Sequence, residues 1–303
     1  MSAHLRFLLF TALLCLTASG WSADSSPDDD GKGFVRLRTQ DNNVPLALET
    51  AIVSFAATGS RNRGVQVDLV GAIHIADKAY YEELNRRFRG YDAVLYELVA
   101  REDANVPQAG QSPGSFVGGM QVGMKSLLKL EYQLDCVAYG QKNMVHADMS
   151  PEEFAATMKR RNESFAGMFF RLLGRSMAEQ GDDPMGTGDL QILAAMFAPD
   201  RARRLKLLMA KEFANLEGEI SIFDGPDGSA IITERNKKAL EVLTREIAKG
   251  RKKLAIFYGA GHLPDMQRRL QEDFAMQRTG TVWVTAWSLG SSGKAEPKAK
   301  AKE

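Results

Sequence analysis

Leu69-Val70-Gly71-Ala72-Ile73-His74 and Phe257-Tyr258-Gly259-Ala260-Gly261-His262 carry one pattern at two distant points of the chain. Each is an apolar run that ends in Gly-Ala-x-His and leads into a helical pattern. Working outward from the first copy, Val65 to Val70 alternates as a strand does, and Asp77 to Arg89 places Tyr80, Leu84 and Phe88 on one helical face. Ala93 to Val99 reads as a second apolar strand. Strand, helix and strand within about 35 residues predict a βαβ unit, with parallel pairing and a right-handed crossover.

The second copy sits in a similar setting. Ala230 to Lys249 reads as a long helix, with Ala239, Leu243 and Ile247 in register and Gly250 as its stop. Leu254 to Tyr258 reads as a strand, Asp265 to Phe274 as a helix, and Thr281 to Trp287 as a last strand. Between the copies, residues 118–217 are mostly helical in pattern. A short apolar stretch, Asn143 to Ala147, interrupts them, and Ser150-Pro151-Glu152-Glu153 then signals a helix start. Most of the methionines fall between Met120 and Met209, as core filler between helices or as an adaptable lid. The predicted fold is α/β, with a largely parallel or mixed sheet built from two related βα halves. Helices flank it, and a helical insertion lies in the middle.

The chain of 303 residues has a formal net charge of +1 and is 44% hydrophobic, an ordinary globular composition that argues against a dedicated nucleic-acid binder. Residues 1–23 read as a secretory signal: Phe7 to Leu16 is too short to span a bilayer, and small residues follow it, with cleavage after Gly20 or Ala23. The expected destination is the periplasm or the extracellular space. No transmembrane helix is expected in the mature chain. Loss of Cys15 with the signal leaves Cys136 alone, so no intrachain disulfide is expected. A single domain is expected over 34–288, with an acidic leader from Asp24 to Lys32 before it and a disordered Lys/Ala-rich tail over 289–303 after it.

The chemistry gathers at strand ends. Open parallel sheets bind ligands outside the carboxyl ends of their strands, where His74 and His262 both fall. Glu97 is a lone charge near the end of an apolar strand and requires a partner there. Two imidazoles and a carboxylate form a common divalent-metal set, and metal-bound water is a nucleophile at neutral pH. One Gly-x-x-His turn is readily structural; two copies with a strand-end Glu favour a site. His146 and Asp148, two apart after the middle strand, are secondary candidates, as is Asn236; each could orient a ligand or serve only the local structure. Arg235 could hold a substrate carboxylate or an oxyanion, or belong to a solvated face.

Val70-Gly71-Ala72-Ile73-His74, Tyr91 to Leu98, Glu234-Arg235-Asn236 and Gly259-Ala260-Gly261-His262-Leu263 together resemble the TraB/PrgY, GumN and Tiki family, within the wider ChaN-like and erythromycin-esterase-like group. In its Tiki branch the resemblance implies a divalent-metal-dependent protease. His74 and His262 would then be metal ligands, Glu97 a ligand or general base, and Arg235 a substrate or oxyanion contact. The expected cofactor is manganese, cobalt or zinc, and the expected partner is a peptide or protein substrate. Two rivals are a metal-free hydrolase that pairs His74 with Glu97, and a non-catalytic protein that sequesters a peptide or cofactor.

Overall fold

The computed structural model describes residues 33–40, 43–60, 62–101, 128–164, 191, 194–216 and 228–290. The expected signal, the acidic leader, the tail from Ser291 onward and much of the insertion lie outside the described residues.

The protein is α/β, and its described residues form a mixed seven-stranded sheet flanked by helices. The strands of this sheet are β1 (Val35–Thr39), β2 (Pro45–Ala57), β3 (Gln66–Ala72), β5 (Ala93–Tyr96), β7 (Met144–His146), β8 (Lys253–Gly259) and β9 (Met276–Ser288). A two-residue pair, β4 (Ile75–Ala76) and β6 (Glu131–Tyr132), lies apart. The helices are α1 (Lys78–Phe88), α2 (Gln133–Cys136), α3 (Pro151–Arg160), α4 (Arg201–Leu216), α5 (Arg235–Ala248) and α6 (Leu263–Glu272).

β3, β8, β5 and β7 run parallel in that order, whereas β1, β2 and β9 are antiparallel. β9 follows β2 along its length, so β1 and β3 share the opposite edge of β2. The predicted βαβ unit is therefore wider than expected: β3 and β5 are parallel, but each pairs with β8, which lies between them. Lys253-Leu254-Ala255-Ile256-Phe257-Tyr258-Gly259 suits that place, because its run of five buried residues can be covered on both faces.

Side chains of these strands alternate between two cores. Val70, Val94, Ala255 and Phe257 face α1 and α4, with Phe88 tilted on Phe257 at a centroid distance of 5.0 Å. Leu69, Leu95, Ile256 and Tyr258 face α5 and α6. Each large apolar side chain so buried contributes about 1.5–3 kcal/mol of transfer free energy.

Several boundaries differ from expectation for identifiable reasons. The long helix read from Ala230 opens as a π-helical turn, Ala230–Glu234, and becomes α-helical at Arg235. It ends at Gly250 (φ 87°), whose N–H bonds to Ile247 while Arg251 N–H bonds to Glu246. Leu289, assigned to the tail, is buried, and its N–H donates to the Leu46 carbonyl. The described part of the insertion contains β6 and β7 as well as helices. Ser150 caps α3 with a reciprocal bond to Glu153, as its sequence predicts. No helix among the described residues is long and apolar enough to cross a membrane.

Candidate active site

The parallel register sets the site. Ala72 is paired with Gly259, and Tyr96 with both Phe257 and His146, so four strands end along one edge. Just beyond those ends stand His74, Glu97, Asp148 and His262. His262 closes a single turn, Ala260–His262, at the start of α6 and is 5% exposed. His74 is exposed on the bend after β3.

Arg235 enters this edge from the first turn of α5, fixed by the preceding π-helical turn. Its Nε and Nη2 donate to Asp148 Oδ1 and Oδ2 at 2.9 and 2.5 Å, and Nη2 also donates to Glu97 Oε1 at 2.7 Å. Gly259 N–H donates to Glu97 Oε2 at 2.7 Å. A Cβ at Gly259 would lie 3.3 Å from Glu97 Oε2, so glycine spares the carboxylate a tight contact. Burial pushes the Glu97 carboxyl up, but the charges of His262, Arg235 and His74 and the Gly259 N–H outweigh it and bring the pKa to about 2.

Asn236, fully buried beside Arg235, fixes His262. Its Nδ2 donates to the His262 carbonyl at 3.0 Å and to Asp265 Oδ2 at 2.9 Å, so its Oδ1 is the end that faces His262 Nδ1 at 2.7 Å. An amide oxygen only accepts, so Nδ1 carries the ring proton. Burial also lowers the His262 pKa to about 4, against the pull of Glu97. At neutral pH the ring is uncharged and its Nε2 is a bare lone pair. That lone pair faces Glu97 Oε1 at 3.5 Å. Two acceptors thus oppose each other in a buried place, an arrangement that a cation or a donor between them relieves.

His74 Nδ1 lies 3.1 Å from Gln133 Oε1, and His74 Nε2 has no hydrogen-bond partner among the described residues. The His74 charge acts on both Glu97 and His262, so the two imidazoles share one electrostatic environment. The donor set suits a divalent ion by its chemistry: one neutral buried imidazole, one imidazole with an open nitrogen, and an ionised carboxylate. Glu97, Arg235 and Asp148 together carry one net negative charge. As they stand, no three His, Cys, Asp or Glu side chains among the described residues could hold an ion.

The secondary candidates divide. Asp148, only 2% exposed, is a principal partner of Arg235, and Asn236 holds His262. His146 instead bonds through Nε2 to the Leu98 carbonyl at 2.6 Å, edge-on to Tyr96. Arg235, expected as a substrate or oxyanion contact or as part of a solvated face, is buried and held by two carboxylates. Gln133 and Tyr139 border this site and carried no signal in the sequence; Tyr258, within the second Gly-Ala-x-His copy, donates its OH to the Ala147 carbonyl and so braces the strand end before Asp148.

The chain matches no family model, no curated protein and no solved structure.

Proposed function

We propose that the protein is a hydrolase, and that it cleaves peptides at the carboxyl edge of its parallel strands with the help of a divalent ion. The observation that carries this reading is the bare Nε2 of His262 opposed to an ionised Glu97 oxygen 3.5 Å away. Metal-ligating histidines characteristically donate their other nitrogen to an oxygen, as His262 does to Asn236. The resemblance to the TraB/PrgY, GumN and Tiki family supports the same reading. His74, His262 and Glu97 would hold manganese, cobalt or zinc. Such an ion supplies a water of lowered pKa and polarises the substrate carbonyl.

The roles of the chain's own residues follow from their chemistry. Glu97, with a pKa of about 2 and both oxygens already engaged, is an anchor for positive charge and a poor proton acceptor at neutral pH. His262 stays neutral and presents a lone pair. Arg235 commits Nε and Nη2 to carboxylates, which leaves Nη1 for a developing oxyanion. Export to the periplasm or beyond rests on residues 1–23 and belongs to the proposal.

A second reading is hydrolysis without metal, using His74 as base paired with Glu97; the charge interaction between the two supports it, while the direct contact to the His74 ring is Gln133. A peptide-cleavage assay with and without chelator decides between them. Activity lost to chelator and restored by one divalent ion supports the first reading. Resistance to chelator supports the second. Peptide retention without turnover under every metal would instead mean a sequestering protein.

A further inference from the structure

We propose that Gln133 is a positioning residue that fixes the orientation and tautomer of His74, and that Tyr139 fixes Gln133 in turn. The proposal deepens the reading above and rests on it only for the consequence to catalysis. The tautomer is a property of the protein without ligand.

Gln133 begins α2 and is 4% exposed. It grips His74 twice. Its main-chain N–H donates to the His74 carbonyl at 2.9 Å, and its Oε1 lies 3.1 Å from His74 Nδ1. The neighbouring ladder, Ile75 with Tyr132 and Ala76 with Glu131, sets the register of this grip. The far end of the amide has a partner too. Gln133 Nε2 donates to Tyr139 OH at 2.8 Å, and the Tyr139 ring packs on Tyr96 at a centroid distance of 4.9 Å. Tyr96 immediately precedes Glu97, so the chain of contacts leads back to the site.

An amide has a donor end and an acceptor end. With Nε2 turned to Tyr139, only oxygen is left to face His74. Oxygen accepts, so His74 Nδ1 must carry the ring proton and Nε2 must hold the lone pair. An unrestrained imidazole in water prefers the opposite tautomer. His74 is exposed, so its own solvation makes no demand for a buried amide beside it. The geometry gives His74 the tautomer that Asn236 gives His262, by an unrelated residue from the middle of the chain.

The test is long-range proton–nitrogen NMR on the full chain labelled with 15N-histidine and stripped with chelator, with His74→Ala to assign the His74 signals. The expected result is a His74 ring protonated at Nδ1 in the parent chain and in Gln133→Glu, whose carboxylate still accepts. Gln133→Leu loses that signature and shows a ring protonated at Nε2, while Tyr139→Phe frees the amide and gives a mixture. His262, held by Asn236, stays protonated at Nδ1 in each of these variants and reports that they fold. If Gln133→Leu fails to fold, Gln133→Asn, too short to span the contact, replaces it with the same outcomes. A parent His74 protonated at Nε2, or an unchanged His74 in the shortened or apolar variant, overturns the proposal. No metal or substrate enters this experiment, so its outcome is separable from that of the hydrolase reading.

Discussion

The two Gly-Ala-x-His turns share a sequence pattern and differ in embedding. His262 is buried, locked by Asn236 from the adjoining α5 and opposed to Glu97. His74 is exposed and held by Gln133 from a remote segment. The difference teaches that one half of the site belongs to the sheet-and-helix frame, while the other is completed by the insertion. Burial and charge are concentrated on the His262 side, and exposure on the His74 side.

Perturbing the frame should therefore affect stability first. Arg235→Met leaves Glu97 and Asp148 buried without their cation, and the expected loss is about 3–5 kcal/mol, measured by denaturant unfolding. A smaller loss would mean that the two carboxylates are solvated and the frame is looser than described.

The pH dependence follows in size. His262 in the unfolded chain binds a proton near pH 6.5, whereas in the folded protein it does so only near about 4. The unfolded state then binds more protons in that window, so stability is full above pH 6.5 and falls as pH drops to 4, by on the order of 3 kcal/mol. Glu97, depressed from 4.5 to about 2, adds a second decline across that lower range. His262→Gln should flatten the first window and shrink the second, because the His262 charge is the largest of those that lower Glu97. Melting curves across pH check this, and an unchanged slope in His262→Gln would place the ring in solvent.

Gly259→Ala puts a methyl group against Glu97 Oε2. The expected cost is about 1 kcal/mol or somewhat more, together with a larger loss of activity as the carboxylate moves. Equal activity would mean that the exact placement of Glu97 is unimportant. The smallest stability effect belongs to His74→Ala: the ring is exposed, and the expected loss, about 0.5–1 kcal/mol, is that of its hydrogen bond to Gln133. A large destabilisation there would erase the contrast between the two turns.

How much of this was legible in the sequence depends on the range of each interaction. The strand-turn-helix pattern around His74 and His262 is local, and it announced both the α/β class and the strand edge beside which both histidines stand. Glu97 stood out because a carboxylate in an apolar run needs a partner. The insertion of β8 between β3 and β5 was not legible, since strand order depends on packing between distant segments. His146 and Asp148 looked equivalent, yet only Asp148 meets Arg235; whether a neighbouring carbonyl or a cation is available is decided by other elements. Gln133 lay in an unremarkable run, Tyr132-Gln133-Leu134-Asp135, and acquires its place only through a two-residue ladder to β4.

The most direct measurement of the shared-pocket claim is the divalent-ion content, by titration and elemental analysis, of the parent chain, His74→Ala and His262→Ala. The account predicts a single bound ion in the parent chain and none in either variant, although His74→Ala remains folded. Full ion binding retained in either variant would contradict it, because the two rings would then not serve one ligand.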